Sequence, residues 1–326
     1  MTSLISLPLL NRFIFTLPSS PHSPHPTNTT TQPHPPYERQ NPVAEDMNDE
    51  KTCVVAKTMV EEEEEEEEEV RIKVGTYGGL VKVVQDPTEE VMLLWGLQQP
   101  TFSKPNFFVK QSSLTLKIDS FGHSLSVLQS PSSLITPGVT GSVMWDSGIV
   151  LGKFLEHAVD TERLLLQGKK VVELGSGCGL VGCVAALAGA KVILTDLPDR
   201  LRLLNKNVES NIRCSNIPGS AVVTELIWGD DPDREILDPL PDYVLGSDVV
   251  YSEEAVGDLL ATLQQLCGKH TTIILAGELR NDAILEYFLE AAMEGFVVGQ
   301  VDQSEFHPEF RSHRVVVYIL VKKLQE

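Results

Sequence analysis

From Val171 to the C-terminus, short apolar runs alternate with longer segments whose apolar positions recur every three or four residues. The runs predict strands at Val171–Leu174, Val192–Thr195, Val222–Leu226, Tyr243–Ser247, Thr271–Ala276, Phe296–Val301 and His313–Val321. Between them the helical period predicts Leu180–Ala188, Pro198–Arg213, Glu253–Leu266 and Asp282–Glu294. Pro198 and Asp199 suit the start of the second of these helices. Strands alternating with helices predict an α/β fold, a mostly parallel sheet wound on both faces. The last two strands have no helix between them, so they pair antiparallel and put a reversed strand at the end of the sheet.

Upstream the period changes. Residues 107–128 alternate apolar with polar on both sides of Ser120-Phe-Gly-His, which predicts a β-hairpin. It lies either as a cap or as a ribbon beside the sheet. Residues 140–156 lead into an amphipathic helix carrying Ile149, Leu151, Phe154 and Leu155 near one face, and Arg71-Ile-Lys-Val hints at an early strand. The first 44 residues are Ser, Thr, Pro, His and Asn in the main, too poor in apolar side chains to offset chain entropy, and Glu61–Glu69 is an unbroken acidic run. Three regions follow: a disordered arm over 1–69, a β-rich extension over 70–138 and an α/β domain over 139–326.

Charge narrows the partners. The formal net charge is −20, and residues 1–75 hold 14 acids against 6 bases, so a balance of −12 remains in the folded part. An acidic surface repels phosphate backbones, which argues against nucleic acid. The five cysteines form no Cys-x-x-Cys pair, and the histidines show no metal-ligand spacing, so neither a disulfide framework nor a metal site is expected. No run reaches the roughly 20 apolar residues that span a bilayer. The reading is a monomer in a reducing compartment, the cytoplasm or also the nucleus, with organelle targeting by residues 1–46 left open because that stretch is nearly free of acids.

The chemistry concentrates at Val172-Glu-Leu-Gly-Ser-Gly-Cys-Gly, where a strand meets a glycine turn and a helix of small residues. Glycines let backbone approach a ligand where a Cβ would clash, and Asp196 at the tip of the next strand can accept from both hydroxyls of a ribose. The spacing is G-x-G-x-G, whereas a dinucleotide site places its third glycine one residue later, at Leu180. That difference favours S-adenosylmethionine over NAD.

Four ordered stretches, Gly141-Ser-Val-Met-Trp-Asp, Val172-Glu-Leu-Gly-Ser-Gly-Cys-Gly-Leu-Val-Gly, Leu226-Ile-Trp-Gly-Asp and Leu245-Gly-Ser-Asp-Val-Val-Tyr-Ser-Glu-Glu, resemble methyltransferase family 16, the non-histone protein-lysine methyltransferases. The resemblance covers about residues 139–326, and the chain closely resembles the subgroup acting on Hsp70-type chaperones and an AAA-type ATPase. It implies the class I methyltransferase, Rossmann-like fold: a doubly wound seven-stranded sheet whose last strand is antiparallel, here with an N-terminal β-hairpin extension. It also implies that Gly175, Ser176 and Gly177 contact the methionine part of the cofactor, and that Asp196 takes the ribose. Trp228 would flank the adenine, Ser247 would lie beneath the cofactor, Trp145 would close the pocket, and Glu173 would stand near the loop. Asp248-Val-Val-Tyr251 matches the family's D-x-x-Y element, which implies that Asp248 and Tyr251 line the channel of the substrate lysine.

Displacement at a sulfonium methyl needs a neutral amine, and lysine's reference pKa is about 10.4. Asp248 can orient the incoming cation, and Tyr251 offers a hydroxyl and a ring face. Two other classes share parts of the pattern: a weakly catalytic, cofactor-binding partner of a chaperone, and an NAD-dependent oxidoreductase.

Overall fold

The computed structural model describes residues 71–98, 106–135, 140–213, 216–278 and 280–323. The expected disordered arm, with its acidic run, lies outside them. Nine strands among the described residues share one sheet. In chain order they are β1 (Arg71–Ile72), β2 (Val81–Val83), β5 (Lys170–Leu174), β6 (Lys191–Asp196), β7 (Ser220–Glu225), β8 (Tyr243–Ser247), β9 (Thr272–Glu278), β10 (Phe296–Val301) and β11 (Val315–Lys322). Across the sheet the order is β1-β2-β10-β11-β9-β8-β5-β6-β7.

The four pairings among β5 to β9 are parallel, and β11 runs antiparallel to both β9 and β10. The reversed strand therefore sits inside the sheet, not at its end as the sequence suggested. With no crossover helix after β10, the chain turns back through residues 302–314 and slots between β10 and β9, where each edge finds a partner. The outer edge of β10 is covered by β2, antiparallel in register Gln300 to Lys82, and β2 is covered in turn by β1. The sheet is thus two strands wider than the seven expected.

Alternate residues of each strand feed opposite layers. Val171, Leu245, Ile274 and Val317 face one core with α2 (Asp146–Asp160) and α3 (Leu180–Leu187). Val172, Val244, Ile273 and Val316 face the other, with α1 (Pro87–Gln98), the short α5 (Arg234–Leu237), α6 (Glu253–Leu266) and α7 (Asp282–Gly295). Both faces being buried explains why these strands read as continuous apolar runs.

The helix expected from Pro198 begins later, as α4 (Leu201–Val208), after a turn, and passes into a π-helical segment over Glu209–Arg213. The hairpin forms as β3 (Thr115–Ser120) and β4 (His123–Leu128), with Phe121 and Gly122 both at positive φ in the two-residue turn. It pairs with no strand of the large sheet and is a cap. The amide of Leu128 donates to Asn207 Oδ1 at 2.8 Å and that of Ser126 to Asn211 Oδ1 at 2.7 Å, so side chains of α4 and the π-helical segment stand in for a neighbouring strand along β4. Asn207, fully buried, also donates from Nδ2 to the carbonyl of Cys178 at 2.9 Å and so ties the hairpin to the glycine turn.

Candidate active site

The crevice opens at the C-terminal ends of β5, β6 and β8, where open α/β sheets place ligands because the strand order reverses there. A cavity of about 270 Å³ lies in it. All ten residues singled out from the sequence, Trp145, Glu173, Gly175, Ser176, Gly177, Asp196, Trp228, Ser247, Asp248 and Tyr251, line this one cavity.

The glycine turn fits a close-packed ligand. Gly175 and Gly177 hold φ of 60° and 54°, which a side chain rarely tolerates. A Cβ on Gly175 would come within 3.2 Å of the Trp228 ring, and one on Gly177 within 2.9 Å of the Gly141 carbonyl oxygen. Asp196 pins the turn: its Oδ2 accepts from the Gly177 amide at 2.7 Å, and its Oδ1 from the Leu197 amide at 2.8 Å. Each carboxylate oxygen keeps a further lone pair for a ligand hydroxyl. Burial raises the carboxyl above its ordinary value, against the pull of the two amides and Arg200. Beside it Leu226, Ile227, Val249 and Trp228 supply apolar walls. An acid next to an apolar slot, floored by backbone with no room for side chains, suits a ribose and its purine, so these residues fit S-adenosylmethionine.

Glu173 does something different from the expected loop contact. Its side chain turns inward under the turn, and Oε2 accepts from the Gly182 amide of α3 at 3.0 Å. Burial first, and the charge of Asp196 last, push its pKa up to about 8 against the Ser176 and Gly182 hydrogen bonds. Because the folded value exceeds the ordinary 4.5, the folded chain keeps a proton that the unfolded chain has released by neutral pH. Stability is therefore full below about pH 4.5, falls as pH rises through the window up to about 8, and levels off above it. Glu173→Gln keeps the acceptor for Gly182 and removes the proton, so it should flatten this slope. At pH 9 the variant should be the more stable by on the order of 5 kcal/mol. Thermal melts of both proteins from pH 5 to 9 check it; parallel curves would show that Glu173 does not titrate in that window.

At the other end of the cavity, Asp248 follows β8 at φ 54°. Its amide donates to the Ala276 carbonyl at 2.8 Å, and its Oδ1 accepts from the Glu278 amide at 3.4 Å. Tyr251 is 51% exposed, its ring 6.3 Å from that of Trp228. Burial of the hydroxyl, and then the charge of Asp196, raise its pKa, so the phenol stays protonated. Trp145 occupies the N-cap position of α2, and its indole N–H donates to the Thr140 carbonyl at 3.3 Å.

Two residues escaped the sequence reading. The Arg280 guanidinium lies 4.3 Å from the Trp145 ring centroid and pairs with Asp248 Oδ2 at 3.0 Å. Glu278, at the end of β9, faces the same guanidinium at 3.7 Å. The rule that ligand residues gather at parallel strand ends could have found them, since Glu278-Leu-Arg lies just past the expected strand end at Ala276.

Comparison with known proteins agrees with this geometry. A family model described as lysine methyltransferase matches residues 133–294. EEF1A lysine methyltransferase 3 of Xenopus tropicalis is 34% identical over 181 residues, 56% of this chain and 76% of that protein. Its counterpart in Mus musculus is 40% identical over 167 residues, covering 51% and 67%. Protein N-lysine methyltransferase METTL21A of Mus musculus is 40% identical over 173 residues, covering 53% and 74%. With the sheet order, the glycine turn and the acid at the tip of β6 already in place, these relatives settle the family: the chain belongs to the lysine methyltransferases, S-adenosylmethionine-dependent enzymes with a protein acceptor.

Proposed function

We propose that this methyltransferase modifies one lysine of an EEF1A-type protein, acting as a monomer in the cytoplasm. The observation that carries the reading is the convergence, in one cavity, of a nucleoside half (Gly175, Gly177, Asp196, Trp228) with a cation-receiving half (Asp248, Tyr251, Trp145). S-adenosylmethionine supplies, when bound, a methyl group on a positively charged sulfur that a neutral amine can displace in line. Gly175, Ser176 and Gly177 would hold its methionine part, Asp196 its ribose hydroxyls and Trp228 its base, with Ser247 beneath and Trp145 closing the near side. Glu173, whose carboxyl oxygen accepts from the Gly182 amide, supports the turn from below.

Asp248 would draw in the lysine ammonium and aim it along the cavity. Tyr251 would present its hydroxyl to the same nitrogen, and the apolar walls would favour loss of the amine's proton to water. Positioning supplies the rate, since holding nucleophile and methyl in line replaces a bimolecular encounter. EEF1A is favoured as acceptor because two of the relatives above are named for it. A cytoplasmic, reducing setting is in keeping with the buried free thiols of Cys178, Cys183 and Cys267.

The test is incubation with tritiated cofactor and purified EEF1A, an Hsp70-type chaperone or an AAA-type ATPase, followed by mass spectrometry. Label on a single EEF1A lysine is expected; label on the chaperone or the ATPase alone would overturn the choice of acceptor. Asp248→Asn should lower kcat about 100-fold or more with cofactor affinity within twofold, as expected for a group that positions the acceptor.

A further inference from the structure

Arg280 is not placed as an ordinary surface arginine. Its guanidinium lies between two carboxylates and over an indole face: Nη2 is 3.0 Å from Asp248 Oδ2 and 3.7 Å from Glu278 Oε1, with Cζ 4.3 Å from the Trp145 ring centroid. Two acids and an aromatic face are what a protein assembles to hold a cation. Yet the fit is incomplete. The Glu278 side chain is only 4% exposed, and its Oε2 accepts from Arg314 at 2.8 Å, while Oε1 has no hydrogen-bond partner. A buried carboxylate oxygen left without a donor costs about 1–3 kcal/mol or more. The planar guanidinium bonds Asp248 and stacks on Trp145, but in that pose it reaches Glu278 only at a distance too long for a hydrogen bond.

An alkylammonium differs in the way that matters. It is compact and carries three donors in a cone, so one nitrogen can bond both Asp248 Oδ2 and Glu278 Oε1 while lying over the ring. Trp145 and Asp248 line the cavity of the glycine turn, whereas Glu278 and Arg280 line a smaller neighbouring one of about 30 Å³, so such a nitrogen would sit where the two meet, beside the cofactor half. Arg280 has a way out, because its side chain is already 35% exposed and can swing into water. The backbone beyond it is held separately: Asn281 caps α7, its side chain accepting from the Ile284 amide at 3.3 Å.

We propose that Asp248, Glu278 and the face of Trp145 form a cation subsite that Arg280 fills in the resting protein and yields to the ammonium of the acceptor lysine. The proposal rests on the reading above that Asp248 faces the acceptor. It adds Glu278 as the second acid and makes Arg280 an internal competitor. An arriving lysine must displace a tethered cation, so a bare amine is a poor ligand, and only an acceptor with further contacts to the protein gains the subsite. Arg280 would thereby tune specificity without touching the cofactor.

The experiment uses the full chain saturated with S-adenosylhomocysteine and, as probe, n-butylammonium, followed by calorimetry. Arg280→Gln removes the charge and keeps a planar group on Trp145. It should bind butylammonium about tenfold or more tightly than the parent protein, the equivalent of one lost ion-pair competitor. Adding Glu278→Gln should cancel that gain, and methylguanidinium should compete with butylammonium in the single variant. Equal butylammonium affinity in the parent and in Arg280→Gln, with unchanged melting temperature, would overturn the proposal, as would a gain that survives Glu278→Gln. Should Arg280→Gln fold poorly, Arg280→Met carries the same expectation. Because the probe is a small amine and not a protein, failure to label EEF1A would count against the acceptor named above and leave this measurement to decide the subsite by itself.

Discussion

Asp196→Ala is expected to lower S-adenosylmethionine affinity by about 100-fold or more while the sheet stays folded. A hydrogen bond to a charged acceptor contributes about 1.5–3 kcal/mol, and a ribose offers two hydroxyls, so the loss is on the order of 3–5 kcal/mol, where each 1.4 kcal/mol is tenfold. The carboxylate also accepts from the Gly177 amide, so the substitution releases the turn that shapes the methionine end of the cavity. Fold stability should suffer much less, because the amides of Gly177 and Leu197 border an open crevice and can bond water instead. Asp196→Asn keeps one acceptor oxygen and should lose about tenfold. Calorimetric titration with the cofactor, paired with a thermal melt, separates the two effects. A dissociation constant within threefold of the parent's would mean that the ribose is held elsewhere, and the assignment of the nucleoside half would fail with it.

Much of this site was legible in the sequence for one physical reason. In a parallel sheet the ligand end of every strand is its C-terminal end, so residues distant in sequence meet if each lies at, or within a few residues of, the end of its own strand. Glu173, Asp196, Trp228, Ser247 and Asp248 all obey that rule, which is why the family resemblance and the strand ends picked out the same residues. Glu278 obeys it too, at the end of β9, but the strand expected from the sequence stopped two residues short at Ala276; Arg280 was missed because its partner comes from elsewhere in the chain. Trp145 lies at the start of α2, 135 positions before Arg280, and nothing periodic links a helix start to a strand end.

The fold shows the same division. Runs largely buried on both faces announced β5, β6 and β8 to β11, and the half-exposed run of Val222 and Val223 announced the edge strand β7, while β2 is three residues long and is recognisable as a strand only through its pairing with β10 and β1. The helix α1 went unseen because Met92, Leu93, Trp95 and Leu97 face outward, so its apolar residues form no single stripe. The position of β11 inside the sheet is likewise a matter of which edges remain to be paired, and local sequence carries no record of that.

The second large effect concerns Asp146, which no motif reading assigned. The side chain is fully buried at the first turn of α2 and accepts three backbone amides: Phe107 at 2.5 Å through Oδ2, and Phe108 and Val109 at 3.0 and 3.2 Å through Oδ1. A helix N-terminus favours a carboxylate, and this one spends its lone pairs on a separate segment, clamping residues 107–109 to the helix that carries Trp145. Asp146→Ala removes all three acceptors at once. The Val109 amide is buried and cannot recover with water, whereas Phe107 is 82% exposed and can recover in part. The expected loss is about 3–5 kcal/mol, less than three full charge-assisted bonds. In a folded unit of this size that lowers the melting temperature by roughly 8–15 °C. Asp146→Asn retains a carbonyl oxygen for one or two of the amides and should fall about half as far. The released segment also includes Phe108, whose ring packs 5.3 Å from Phe310, so limited proteolysis near Phe107 should quicken in step with the loss of stability. A melt within 3 °C of the parent would show that residues 107–109 are held by apolar packing alone, and that the carboxylate is dispensable to the N-terminal wall of the site.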